Sequence, residues 1–402
     1  MNVKILHTSD WHLGKKLFRR SRIEEQRSFL NWLEQEVIDR EINFLIIAGD
    51  IFDTPTPPND ALDLYFNFLE SLSNKADVDI IIISGNHDSA NFIQAPASIL
   101  KKHNIHIKTR ISTDTPQNHI TITKDDQTFC FKCIPYFRSY EIYPFIKDDQ
   151  TKELEGADVK EALGQIAKWP SDLNKTNSSV FKCIIAHHAF GDFAATGSEH
   201  LVSVMGIENL KLNWLGEDFD YFALGHIHKT QKMSSTKDIY YSGSPIPMRF
   251  SERQKKNVIE ISVDKNSHTT ELIEVPSFKE IVQISSNEKE IQNILEEKLK
   301  ALDENKVVDA YFEIKLALLG PNNELTNRLY EEVSSRGHHL LSLIPTYSSK
   351  DESIESAIDI NQVSLTSLFD LYYKEKYPEQ ETPKDIQDEF KNLLEELNSE
   401  IS

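Results

Sequence analysis

Short apolar runs bounded by polar or turn residues recur along the first half of the chain. Brief runs of this kind are typical of buried β-strands. They predict strands at residues 3–6, 43–49, 79–84, 180–186 and 220–225. A hairpin-like stretch at 113–138 and two later runs, at 239–242 and 257–263, complete the strand pattern of this region.

Apolar residues at helical spacing lie between the early strands. The two stripes consist of Phe29, Leu33 and Val37 and of Leu62, Phe66, Leu69 and Leu72. A polar helix is also predicted within residues 148–169. Strands that alternate with helices in this way indicate an α/β layer architecture.

A second, smaller unit follows. Its pattern is strand, helix, strand, helix, strand at residues 281–284, 289–300, 309–316, 323–333 and 340–344. The chain then ends with two amphipathic helices, whose apolar residues are Leu365, Leu368, Phe369 and Tyr372, then Ile386, Phe390, Leu393, Leu394 and Leu397. We predict an α/β domain at 1–273, a small α+β domain at 274–347, and a linker with C-terminal helices at 348–402.

The composition is that of a globular protein with more than one domain. The chain has 402 residues, of which 39% are hydrophobic and 27% charged. No apolar run approaches a membrane span, and the N-terminus leads into a polar motif instead of a signal-peptide core, so we expect a cytoplasmic protein without a membrane partner. Cys130 and Cys133 have no second cysteine pair, which favours structural or incidental thiols over a zinc or redox site.

The net charge of −20 argues against a protein that coats nucleic acid nonspecifically. Half of the excess lies in residues 351–402, which hold 14 acidic residues and 4 lysines. Basic clusters remain at 15–27 and at 249–256, and either a phosphate-bearing substrate or a solvated surface explains them. The charge therefore leaves a nucleic-acid substrate open.

A polar cluster follows each of the five strands predicted first. The clusters are Asp10 and His12, Gly49 and Asp50, Asn86, His87 and Asp88, His187 and His188, and His226 and His228. In open α/β sheets, ligands bind beyond the carboxyl ends of the strands, so we expect these clusters to converge. Asp10 and His12 are two positions apart, and in an extended segment such side chains point the same way.

The clusters combine carboxylates, imidazoles and one side-chain amide. Mg²⁺ and Ca²⁺ prefer oxygen ligands and structural zinc favours cysteine, so the mixture suits Mn²⁺ or Fe²⁺, with Zn²⁺ as a further candidate. Seven ligands are too many for one ion that must keep open positions. We therefore predict two divalent ions that share a bridging carboxylate, with Mn²⁺ as the first candidate.

In these motifs the sequence resembles the calcineurin-like metallophosphoesterases. The family signature of DxH, GDxxD, GNHD or GNHE, a strand-end histidine and GHxH matches residues 10–12, 49–53, 85–88, His188 and 225–228. Within the family, the blocks at 7–14, 48–54, 134–138 and 242–252 are similar to those of the nuclease subunit of a bacterial DNA repair complex. The resemblance implies a sandwich of mixed β-sheets flanked by helices, with a small capping domain and C-terminal helices.

Carried over by position, the resemblance also implies a ligand set. It assigns one ion to Asp10, His12 and His228, the other to Asn86, His188 and His226, and the position between them to Asp50. Either His187 or His188 could be the histidine ligand of the second ion. We favour His188, because the family's ligand is usually followed by one residue and then an apolar or aromatic residue, and we assign His187 a supporting position.

The resemblance implies that His87 faces the scissile phosphate without binding metal. An imidazole that titrates near neutrality is suited to protonate the leaving 3′-oxygen, so His87 is our candidate general acid. We expect Asp88 or Asp53 to support it. Stabilisation of a turn is an equally good explanation of Asp53.

For activity, the resemblance implies an ATP-dependent double-strand DNA exonuclease that also cuts single strands and hairpins. It implies an SMC-like ATPase partner, two copies of each chain in the complex, and a homodimer of this chain. The apolar stripes at 361–402 are expected to bind the coiled coil of the ATPase, with packing onto the chain itself as the alternative.

Two other functions remain open from the sequence. One is a metallophosphatase for small phosphoesters or phosphoproteins, since a fold does not fix a substrate. Phosphoprotein phosphatases usually carry an arginine where this chain has Thr54. The other is a non-catalytic scaffold, against which the complete set of candidate ligands argues.

Overall fold

The computed structural model describes residues 2–146, 156–170, 173, 179–199, 209–265, 267–347, 369, 373, 383, 386 and 390. It divides into two compact units, Met1–Thr346 and Tyr347–Ser402. In the second unit the rings of Phe369 and Phe390 stack, with centroids 4.2 Å apart. Most residues of the linker and of the two predicted C-terminal helices lie outside the described residues. In the part that is described, no helix is long and apolar enough to span a membrane.

The first unit contains the following elements. The strands are β1 (Val3–Thr8), β2 (Lys16–Leu17), β3 (Arg20–Ser21), β4 (Phe44–Ala48), β5 (Asp79–Ile83), β6 (Ile105–Lys108), β7 (His119–Lys124), β8 (Gln127–Ile134), β9 (Val180–His187), β10 (Tyr221–Gly225), β11 (Gln231–Lys232), β12 (Asp238–Tyr241), β13 (Asn257–Val263), β14 (His268–Glu274), β15 (Ile281–Asn287), β16 (Tyr311–Leu318) and β17 (His339–Tyr347). The helices are α1 (Ile23–Asp39), α2 (Asn59–Lys75), α3 (Ala90–Gln94), α4 (Ala97–Leu100), α5 (Gly156–Ile166), α6 (Ile291–Glu304) and α7 (Asn323–Ser335).

Two mixed six-stranded sheets form the larger part of this unit. Their strand orders are β14-β13-β1-β4-β5-β6 and β11-β12-β10-β9-β8-β7. In the first sheet β1, β4, β5 and β6 are parallel, and in the second β8, β9, β10 and β12 are parallel. Each parallel set directs the carboxyl ends of its strands to one edge of its sheet, where the loops with the candidate residues begin.

The two sheets pack face to face because the strand residues alternate between two cores. Phe44 and Ile46 point into the core between the sheets, together with Phe181, Cys183 and Ile185 of β9. The alternate residues of β4 point to the outer face, where α1 and α2 cover them. The alternate residues of β9 face a third core under α5. Strands covered on both faces must be apolar throughout, which explains their short, continuous apolar runs.

The smaller α+β part consists of the β15-β16-β17 sheet with α6 and α7 packed against it. Its order of elements confirms the predicted strand, helix, strand, helix, strand pattern. The division of the first unit into a domain at 1–273 and a capping domain at 274–347 stays a prediction.

The strands predicted before residue 273 are confirmed, with ends that differ by one or two residues, and the hairpin is β7 and β8. The predicted helix at 148–169 is observed as α5, although residues 148–155 lie outside the described ones. The predicted stripe of α2 is confirmed in part, because Leu69 and Leu72 are buried in the core. Leu62 and Phe66 are only partly buried, whereas Leu64, Tyr65 and Phe68 pack against the first sheet.

Candidate metal centre

The loops after β1 and β4 are joined by main-chain hydrogen bonds. The amide of Asp10 donates to the carbonyl of Gly49 at 3.0 Å, and the amide of His12 donates to the carbonyl of Asp50 at 3.0 Å. The first two clusters therefore form one rigid corner, with both carboxylates buried.

Asp10, His12 and His228 form the first group of candidate ligands, and all three are buried. Nε2 of His12 lies 3.1 Å from Nε2 of His228. The carboxylate of Asp10 accepts the amide of His226 at 2.9 Å and the hydroxyl of Ser9 at 2.5 Å, which orients it toward the group.

Asp50, His187 and His226 form the second group, and they too are buried. Oδ2 of Asp50 lies 3.4 Å from Nε2 of His187 and 3.6 Å from Nε2 of His12, so this carboxylate stands between the two groups. Oδ1 of Asn86 lies 2.9 Å from Nδ1 of His226 and 3.2 Å from Nε2 of His187. The structure thus brings Asn86 to the second group, as predicted.

His188, which we predicted as a ligand of the second ion, does not lie among the candidate ligands, whereas His187 does. Nε2 of His188 accepts the amide of Phe137 at 3.1 Å, and its ring packs against Tyr136 and Phe137. His187 instead donates from Nδ1 to the carbonyl of Ala48 at 2.7 Å and directs Nε2 at Asp50. Strand alternation explains the difference, because His187 continues the face of β9 that points between the sheets, and His188 the opposite face.

Several candidate ligands have an unfavourable backbone conformation. The φ angles of Asp10, His12, Asp50 and His226 are 55°, 46°, 51° and 97°, a region that costs a non-glycine residue about 1–3 kcal/mol. Gly49, at φ 88°, leaves room for His187, because a Cβ there would collide with its ring. Residues held in this region are frequent at functional sites, although others of this chain lie elsewhere, such as Asn104 and Lys306.

The charges and pKa values of the candidate ligands are compatible with bound cations. Burial lowers the pKa of His226 to about 3 and also lowers the pKa of His228, so both rings are neutral and keep a lone pair for a metal. Burial opposes the charging of His187, but the carboxylate of Asp50 raises its pKa to about 9. A cationic His187 therefore offsets part of the charge of the buried carboxylates, and a bound divalent ion would take over that role by displacing the proton.

His87 forms a third group of candidate ligands with His12 and Asp53, beside the other two. Its ring meets the ring of His12 edge to face, with centroids 4.8 Å apart, and its amide donates to Oδ1 of Asp50 at 2.9 Å. Nδ1 of His87 donates to the main-chain carbonyl of Asp53 at 2.8 Å. That hydrogen bond requires a proton on Nδ1, because a carbonyl oxygen only accepts.

The two predicted supporting carboxylates have different surroundings. Asp53 lies 3.5 Å from Nδ1 of His12 and accepts from Lys15 at 2.8 Å; burial opposes its ionisation, yet these contacts lower its pKa to about 2. Asp88 accepts the amides of Ile51, Phe52 and Gly85, and burial raises its pKa to about 6. Asp88 therefore joins the loops after β4 and β5. Of these two residues, Asp53 contacts His87, through its main-chain carbonyl.

The sequence did not predict a buried network of hydrogen bonds behind His228. The Ser198 hydroxyl lies 2.6 Å from Nδ1 of His228 and donates to Oε1 of Glu252 at 2.6 Å. Nζ of Lys256 contacts the other oxygen of Glu252 at 2.5 Å. Glu252 lies in the block at 242–252, but no local pattern links it to Ser198 or His228.

The chain belongs to the calcineurin-like phosphoesterase family, whose model matches residues 3–230. Two curated relatives are named as the SbcD component of the nuclease SbcCD. The protein of Bacillus subtilis (strain 168) is 26% identical over 379 residues, which cover 93% of this chain and 93% of the relative. The protein of Staphylococcus epidermidis (strain ATCC 12228 / FDA PCI 1200) is 27% identical over 315 residues, 78% of this chain and 79% of the relative.

A solved dimetal phosphatase from Danio rerio is 11% identical, with a TM-score of 0.41, and the match covers 68% of this chain and 99% of that one. Family membership, together with the two sheets and their flanking helices, confirms the predicted fold class. The family and the relatives also confirm the resemblance and the prediction of a metal-dependent phosphodiesterase that uses divalent ions.

Proposed function

We propose that the chain is a two-metal DNA nuclease that acts with an SMC-like ATPase in DNA repair, recombination and replication. The observation that carries the proposal is the position of Asp50, whose carboxylate lies within 3.6 Å of both His12 and His187 and so stands between two groups of candidate ligands. Both curated relatives are named as part of the nuclease SbcCD, which supports DNA as the substrate.

In this proposal Asp10, His12 and His228 hold one ion, Asn86, His187 and His226 hold the other, and Asp50 bridges them. The mixture of carboxylate, amide and neutral imidazole donors favours Mn²⁺. Two bound ions supply an activated water and neutralise the charge that grows on the phosphate. Asp53 orients His12 from the side away from the ligand nitrogen, as a carboxylate behind a metal-binding histidine does.

His87 is the proposed general acid. Its Nδ1 proton is held by the carbonyl of Asp53, so Nε2 is the atom that gives a proton to the leaving oxygen. Its amide bond to Asp50 keeps the ring beside the ligand groups without requiring it to be a ligand.

The partner in this proposal is an ATPase of the SbcC type, with residues 361–402 bound to its coiled coil and two copies of each chain in the complex. ATP-dependent cutting of double strands then belongs to the complex, whereas cutting of single strands and hairpins needs only the metal centre. The names of the relatives, as components of SbcCD, support the presence of a partner subunit.

The test compares linear duplex, hairpin and single-stranded DNA with a phosphomonoester, each with Mn²⁺ and with EDTA. Mn²⁺-dependent cleavage of single strands and hairpins by the chain alone, with little phosphomonoester hydrolysis, is the expected result. Efficient hydrolysis of the phosphomonoester without cleavage of any DNA would instead identify a phosphatase.

A further inference from the structure

A groove of about 260 Å³ opens beside Asn86 and has no role in the site described so far. Its walls come from the loops after β5, β6 and β8 and from the short 3-10 helix Ser139–Phe145. The side chains with binding chemistry along it are Arg110, Tyr136, Arg138 and Tyr140. Tyr136 and Arg138 belong to the block at 134–138, to which the sequence alone gives no function.

Tyr136 is fixed in place at the inner end of this groove. Its amide donates to the carbonyl of Ser84 at 2.9 Å, and its ring stacks on His188, with centroids 4.9 Å apart and planes 23° apart. Burial raises the pKa of its hydroxyl and the nearby charge of Arg138 opposes the rise, so the hydroxyl keeps its proton and donates.

Tyr140 is exposed although its helix is anchored. Ile142 and Phe145 of the same short helix are buried in the core under α5, and Glu141 accepts the amide of Arg138 at 2.8 Å where the helix begins. The ring of Tyr140 is nevertheless 58% exposed. A large aromatic ring presented to solvent from a rigid element is suited to stack on a ligand.

Two arginines complete the groove. Arg110 donates to Oδ1 of Asn91 at 2.9 Å and lies 3.8 Å from Glu141, so its position is set by neighbours that leave it exposed. Arg138 is exposed as well. The acidic side chains near the groove have partners of their own. Asp88 accepts three main-chain amides, and Glu141 contacts Arg110 and the amide of Arg138.

We propose that this groove binds the nucleotide next to the scissile phosphate of single-stranded DNA. The base stacks on Tyr140, the adjoining phosphate contacts Arg138 and Arg110, and the hydroxyl of Tyr136 donates to a phosphate oxygen. Exposed aromatic rings interleaved with arginines are the means by which proteins bind single strands without reading sequence. The inference rests on the proposed nuclease function, and it predicts little preference for the base.

The experiment measures kcat/KM on a single-stranded oligonucleotide and on bis-p-nitrophenyl phosphate, which has no flanking nucleotide. Tyr140→Ala should lower kcat/KM on the oligonucleotide about 5- to 100-fold more than on the small substrate, the range expected for a lost base stack. Tyr140→Phe keeps the ring and should restore most of the loss. Tyr330→Ala and Arg328→Ala, exposed on α7, are the matched controls.

The salt dependence of kcat/KM distinguishes the role of Arg138 from that of Tyr140. Arg138→Ala should reduce the slope of log(kcat/KM) against log[salt] by about 0.7, the value for one phosphate of a single strand, whereas Tyr140→Ala should leave that slope unchanged. Equal losses on both substrates, or variants that match the wild-type chain on the oligonucleotide, overturn the inference alone. A wild-type chain that hydrolyses bis-p-nitrophenyl phosphate but cuts no oligonucleotide overturns the proposed function and this inference with it.

Discussion

The hydroxyl oxygen of Ser198 lies 2.6 Å from Nδ1 of His228. Because the Ser198 proton goes to Glu252, the hydroxyl accepts from Nδ1 of His228, and the lone pair of that imidazole is left at Nε2. Nε2 is the atom that faces His12. Ser198, 30 positions from His228 in sequence, therefore selects the tautomer of His228 whose lone pair is at Nε2.

Replacement of Ser198 by alanine should weaken metal binding more than it weakens chemistry. We expect the Mn²⁺ concentration for half-maximal activity to rise about 10- to 100-fold, because His228 loses the contact that orients it. At saturating Mn²⁺ most of kcat should return. Ser198→Thr keeps the hydroxyl and should behave like the wild-type chain. An unchanged Mn²⁺ dependence in Ser198→Ala would show that the contact has no such role.

His187 and His188 should differ in what they support. His187→Ala should lose bound Mn²⁺ after dialysis, because its Nε2 faces Asp50. His188→Ala should keep the metal content of the wild-type chain but lose about 1–3 kcal/mol of unfolding free energy, since the buried amide of Phe137 loses its acceptor. Metal analysis and urea unfolding check both variants. Loss of metal from His188→Ala alone would restore the assignment made from the sequence.

The strands could be predicted because each is covered on both faces and therefore reads as an unbroken apolar run. Because these runs are apolar throughout, the sequence does not show to which face of the sheet a given residue points. His187 and His188 follow the apolar residues of β9 without a polar alternation to distinguish them. Only the pairing of His187 with Gly225 of β10 and the contact of its ring with the carbonyl of Ala48 decide between them.

The sequence could not predict residues that support the candidate ligands only through contacts between distant parts of the chain. Ser198 and Glu252 are 54 positions apart, and their types fit any surface loop. Asp10 and His12 were predicted from their spacing after a strand, and Asp50 and Asn86 from glycine-containing turns at strand ends, whereas a serine behind a candidate ligand gives no local signal. The stripe of α2 was predicted only in part, because the apolar residues of that helix extend beyond one narrow face.

Deletion of residues 361–402 should abolish co-purification with the ATPase partner. Two apolar stripes in a strongly acidic segment predict a helical docking element for another chain. Mn²⁺-dependent cutting of single strands should persist, because every candidate ligand lies before residue 230. A truncated chain that still binds the partner would place the docking surface elsewhere.

The pH dependence of stability should carry a contribution from His7, whose side chain is fully buried with Nδ1 3.0 Å from the hydroxyl of Tyr221. Burial lowers the pKa of His7 to about 3, below the value of about 6.5 in the unfolded chain. Between these two values the unfolded chain binds more protons, so stability is full above about pH 6.5 and falls as the pH drops toward 3.

His7→Gln should remove up to about 1.4 kcal/mol per pH unit from that slope, the value for one proton. Urea unfolding in EDTA at pH 4.5 to 6 measures the difference without coupling to metal. At pH 7.5 the two slopes should coincide, which serves as the control. Equal slopes at pH 5 would mean that His7 gains its proton in the folded state as easily as in the unfolded one.

The role of His87 gives the sharpest test of the mechanism. The ring contacts His12, and Nδ1 is held by the carbonyl of Asp53, so a general acid would act through Nε2. If His87 protonates the leaving oxygen, His87→Ala should keep both metal ions and bind DNA, yet cut it about 10²- to 10⁴-fold more slowly. His103→Ala, on an exposed turn, is the matched control.

The leaving group then separates acid catalysis from the other roles of His87. The p-nitrophenolate of bis-p-nitrophenyl phosphate departs without a proton, so His87→Ala should recover much of its rate on this substrate because the step that needs the imidazole is absent. Metal content measured in the same preparation shows whether the centre is intact. Loss of metal would make His87 a ligand, and an equal deficit on DNA and on the activated ester would make it a group that positions the phosphate.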